Sequence, residues 1–122
     1  MIRQNRLAAL CGALTLWSGA AMAEVLVSPP LVAEGDRVLD CYLVNIGQQI
    51  RRVKIEVFNR EGEVVRTVRT RLGPYEEDVA RTESSLLGRV CKFTVTGEKS
   101  EYRGSILVRE SGIGAISALP AY

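Results

Sequence analysis

Two groups of side chains in this sequence are of kinds that could do chemistry. Glu76, Glu77 and Asp78, with Glu83 nearby, place carboxylates where a calcium ion could collect oxygen ligands. The run lacks the spaced Asp-x-Asp-x-Asp-Gly pattern, and neighbours on a strand point to opposite faces. A solvated acidic loop with no metal is therefore the expectation. The second group is basic. Between Arg51 and Arg71 there are seven cations (Arg51, Arg52, Lys54, Arg60, Arg66, Arg69, Arg71) against three acids, Glu56, Glu61 and Glu63. If the two flanking strands pair, Arg52, Lys54, Arg66 and Arg69, with Phe58, form the candidate binding face. Such a face suits another exported protein or an anionic glycan or lipid surface. Cross-strand pairing with Glu56 and Glu63, together with solubility, accounts for the same cations without a ligand.

Elsewhere the residue types exclude more than they offer. Histidine is absent, which removes the commonest general base and the usual transition-metal ligand. The glycines are dispersed rather than gathered into a phosphate-cradling loop. Carboxylate-only catalysis needs a substrate cleft that a chain of this length has little room to build. The expectation is a non-enzymatic protein with no cofactor. Exposed aromatics could stack on sugars, but Phe58, Tyr42, Tyr75 and Tyr102 come without a tryptophan beyond Trp17, and covered positions suit them as well.

The N-terminus sets the compartment. Arg3 and Arg6 precede the apolar stretch Leu7–Trp17, and Ala21-Met22-Ala23 gives the small-x-small pattern of a signal-peptidase site. Residues 1–23 read as a Sec-type signal peptide cleaved after Ala23, too short to anchor in a bilayer. Cys11 sits inside the apolar stretch and follows Leu10, which does not suit a lipoprotein cleavage site. The expected location is periplasmic or secreted. Sixteen basic residues less Arg3 and Arg6 leave fourteen against fourteen acids, a net charge of zero. That balance argues against a nucleic-acid binder, which carries a basic excess. Two cysteines remain, Cys41 and Cys91, and in an oxidising compartment they are expected to form one structural disulfide.

The elements that must position these residues read as strands. Glycines at 35, 47, 62, 73, 88, 97 and 112 recur every nine to fifteen residues, the turn spacing of an all-β sandwich. Between them, Leu39, Cys41 and Leu43 alternate within Val38–Ile46, as do Val53, Ile55 and Val57 within Arg52–Phe58. Cys91, Phe93 and Val95 alternate within Arg89–Thr96, and Gly104, Ile106 and Val108 within Tyr102–Arg109. Glu63–Thr70 is ambiguous in parity because Val64 and Val65 are adjacent. Asn59–Gly62 and Gly97–Ser100 read as hairpins and Gly73-Pro74 as a turn. Pro29-Pro30 confines Val25–Val27 to an edge and offers a place to switch sheets.

Together these predict a single immunoglobulin-like Greek-key β-sandwich of about seven strands. The disulfide would link its two sheets. The domain spans 24–110, with 111–122 a flexible C-terminal tail. Two antibody hallmarks are missing, since the third strand has no Trp and Arg89 stands two before Cys91. Cys41-Tyr42-Leu43-Val44-Asn45 and Cys91-Lys92-Phe93-Thr94-Val95-Thr96-Gly97 resemble the small exported bacterial proteins with a single-disulfide β-sandwich, usually without assigned activity. The resemblance implies the fold and an exported bacterial setting, and carries no catalytic or binding residue. The functional expectation is an exported binding module, the alternative being an assembly subunit that self-associates through edge or terminal strands.

Overall fold

The computed structural model describes residues 23–83, 85–110 and 114–122, so the expected leader lies outside them except for Ala23. They form nine strands: β1 (Ala23–Val27), β2 (Leu31–Ala33), β3 (Val38–Asn45), β4 (Arg51–Phe58), β5 (Val64–Leu72), β6 (Glu77–Thr82), β7 (Ser85–Thr96), β8 (Tyr102–Glu110) and β9 (Gly114–Pro120). One sheet runs β1-β7-β4-β5, with β2 also pairing along β7, and the other runs β6-β3-β8-β9. All pairings are antiparallel.

The period-two alternation sets the inner faces. Val53, Ile55 and Val57 of β4, and Cys91, Phe93 and Val95 of β7, bury against Leu39, Cys41 and Leu43 of β3 and Ile106 and Val108 of β8. Cys41 and Cys91 form a disulfide with a Cα separation of 5.6 Å. Because β3 and β7 belong to different sheets, this bond staples the sandwich through its core.

Gly104 shows how tight that core is. A Cβ at this position would lie 2.9 Å from Phe93 Cε2 and 3.1 Å from its Cδ2, and Phe93 is fully buried. Gly104→Ala is expected to cost about 1–3 kcal/mol through overpacking. Guanidinium denaturation checks this, and an unchanged midpoint would show that the ring has room to yield.

Four features differ from expectation. First, the described residues form nine strands rather than about seven. Second, the chain does not switch sheets at Pro29-Pro30. Prolines cannot donate to a ladder, so pairing lapses there, and β2 resumes along the same neighbour with Leu31 opposite Arg89. Ser28 carries the ladder up to the break: its N–H donates to the Cys91 carbonyl and its Oγ accepts the Cys91 N–H, both at 2.9 Å.

Third, Gly97–Ser100 is not a hairpin. β1 already occupies the edge of β7 that a returning strand would take, so the chain crosses to the other sheet through a 3-10 turn at Lys99–Glu101. The strand after the second cysteine therefore sits in the opposite sheet, unlike the constant-type immunoglobulin arrangement. Fourth, Gly114–Pro120, expected within a loose tail, is the edge strand β9. Beyond it, Ala121 N–H donates to the Gly104 carbonyl at 2.9 Å. Val27 and Tyr122 then exchange N–H···O bonds of 2.9 and 3.2 Å, tying the chain's end to β1.

Candidate binding face

The outer face of the first sheet is built by register. Arg52 stands opposite Arg71, and Lys54 stands between Arg69 on β5 and Thr94 on β7. Residues directly opposite share a face, so four cations from two strands converge beside Thr94 and Thr96. They line a shallow, open depression of about 410 Å³. Lys54 pairs with Glu56 at 3.4 Å. Arg52, Arg69 and Arg71 are exposed, and their guanidinium groups make no hydrogen bond or ion pair among the described residues. Unpaired cations this close repel one another, which favours an anion between them.

The predicted face is therefore assembled in part. Arg52, Lys54 and Arg69 come together, joined by Arg71. Phe58 lies at the far end of β4, half-buried, with the Lys92 ammonium 6.0 Å from its ring centroid. Arg66 is on the other side. A bulge after Val57 makes Val65 the extra residue, which leaves Arg66 opposite the core residue Val57. At the sheet's edge its side chain still reaches solvent.

The acidic run and the aromatics are dispersed. Glu76 Oε1 accepts the Gly73 N–H at 2.9 Å, the Tyr42 hydroxyl donates to Glu77, and Asp78 Oδ1 accepts the Val79 N–H at 2.7 Å. Tyr102 is buried and donates to the Thr96 carbonyl, and burial pushes its phenol up. Tyr75 stands alone at an exposed turn with φ of 62°. A non-glycine residue in that left-handed region carries about 1–2 kcal/mol of strain.

Sequence reasoning missed a second charged cluster, on the outer face of the second sheet. Asp40 has the outward parity of β3 yet is fully buried. Arg81 covers it with bonds of 2.7 and 3.1 Å to its two carboxylate oxygens, and Arg109 Nε lies 3.2 Å away. The hydrogen bond to Asp40, ahead of its charge, raises the pKa of Arg81. The only local signal was one acid among outward-facing Val38, Tyr42 and Val44; both arginines come from other strands. All three charged groups are committed to one another, which makes this a structural roof rather than a ligand site.

No family model matches this chain, and no curated protein matches it. Among solved structures, the crystal structure of Thermotoga maritima 1070 is similar, with a TM-score of 0.57 and 8% identity over 80% of this chain and 91% of that one. At that identity the likeness concerns the fold alone. The fold and its bond define the class: a two-sheet β-sandwich stapled by one inter-sheet disulfide. Among the described residues no helix is long and apolar enough to cross a membrane.

Proposed function

We propose that this chain is an exported, non-enzymatic binding module that takes an anionic partner on the outer face of β4 and β5. The observation that carries the reading is the convergence of Arg52, Arg69 and Arg71, all without a counter-charge, around Lys54 and the threonines of β7. The Sec-type leader and the disulfide support the exported setting.

A photo-crosslinking residue at Thr94, in the floor of the depression, tests this in the native cell against the same residue at Ser105, on the outer face of the other sheet. Adducts are expected from position 94 alone. They should fade with added salt, because exposed charges are screened within about 10 Å at moderate ionic strength. They should also disappear in Arg52→Glu/Arg69→Glu. Equal labelling from both positions, or adducts indifferent to these charges, would overturn the reading.

A further inference from the structure

The depression borders a free sheet edge, and the five edge strands are not equally available. β1 is tied to Tyr122, and β2 is only three residues long. β9 is bulged and ends in Pro120. β6 is short, and its Arg81 is held by Asp40. β5 runs nine residues and pairs only with β4 among the described residues. Along its far side, alternate backbone N–H and C=O groups point away from the sheet without a strand to meet them.

Side chains restrict what can pair there. Arg69 and Arg71 project to the outer face, and Arg66 to the other. A second copy of β5 laid antiparallel would bring arginines against arginines, which is unfavourable. The same pattern attracts a strand with acids opposite Arg71, Arg69 and Arg66 and small apolar residues opposite half-buried Val68 and Thr70. An acid on the outer face also faces Arg52 and Lys54, one strand further in.

We propose that the partner binds as an extended acidic peptide segment that adds antiparallel to β5, continuing the first sheet by one strand. This rests on the basic-face reading and goes beyond it by naming the partner's chemistry and its mode of attachment. Main-chain bonds to β5 give affinity, Arg69 and Arg71 read alternate side chains on the outer face, and Arg66 reads one on the other face.

The probe is the capped peptide Val-Glu-Val-Glu-Val-Thr-Glu, whose residues fall opposite Leu72 back to Arg66. Its control is N-methylated at the second, fourth and sixth residues, whose N–H groups face the free edge at Arg71, Arg69 and Thr67, keeping the charge and losing ladder donors. Binding is followed by fluorescence anisotropy and by amide hydrogen exchange along β5. The first peptide should bind about tenfold more tightly than the control, slow exchange on β5, and lose about tenfold in affinity in Arg69→Glu/Arg71→Glu. If both peptides bind alike and β5 exchange is unchanged, strand addition is wrong while the anionic face stands. If neither binds but Thr94 still yields charge-dependent adducts, the partner is not an acidic strand and the proposal falls alone. If the adducts fail as well, both readings fall. β5 protection that appears without peptide and rises with protein concentration would assign the edge to a second copy, again overturning the proposal.

Discussion

Replacing Cys41 and Cys91 together with alanine is expected to lower the unfolding free energy by about 4 kcal/mol. The two residues are 50 apart in sequence, and the loss of loop-closure entropy for a ring of that size gives this magnitude in the chain-entropy account. Alanine suits the test because both positions are fully buried, where serine would add unpaired hydroxyls. Domains of this size have about 5–15 kcal/mol in total, so the variant should be marginal at physiological temperature. Guanidinium titration provides a second signature. Freed of the cross-link, the unfolded chain exposes more surface, so the slope of the transition should rise as its midpoint falls. A loss below about 1 kcal/mol, with an unchanged slope, would mean that the rest of the core already holds the two sheets together.

What the sequence reveals and what it hides divide along local and non-local lines. The inner faces of β3, β4, β7 and β8 were legible because a strand's parity is written in consecutive residues. The Asn59–Gly62 hairpin was legible too, since Asn59 Oδ1 accepts the N–H groups of Glu61 and Glu63 at 3.1 and 2.9 Å within the same loop. The route of the chain was not. Whether β8 returns beside β7 depends on β1, some seventy residues earlier, having taken that edge. The candidate face was partly legible for the same reason. Arg52 and Lys54 follow the parity of one strand, whereas the side taken by Arg66 depends on a bulge at Val65, where the adjacent Val64 and Val65 leave the parity ambiguous in sequence. Asp40 gave no warning of its burial, because what covers it is an arginine 41 residues away and another on β8.

Asn45→Asp is the second large effect expected, and its pH dependence is the more telling part. Asn45 is fully buried at the end of β3, where it ties three segments together. Its Nδ2 donates to the carbonyls of Gln49 and Leu72 at 2.8 and 2.9 Å, and its Oδ1 accepts the Gly47 N–H at 2.9 Å. Its backbone carbonyl also accepts the N–H of Tyr75, in the strained turn after β5. Aspartate keeps the shape and the acceptor but turns two donors into a carboxylate oxygen facing two carbonyls. With about 1–3 kcal/mol for each buried group left unpaired, and further desolvation of the charge, the cost near neutral pH should be about 4 kcal/mol. Burial and the facing carbonyls must raise the introduced carboxyl's folded pKa above its unfolded value of about 3.9. The folded state then binds the proton more tightly. The deficit is full above the folded pKa and shrinks as pH falls through it toward the unfolded one. Asn45→Ala removes the same bonds without a titrating group, so its deficit should be smaller and flat over that range. Denaturation of both variants against the parent chain, from neutral to mildly acidic pH, separates these cases. A gap for Asn45→Asp that does not narrow on acidification would show that water reaches this position and that the three bonds hold the loops only loosely.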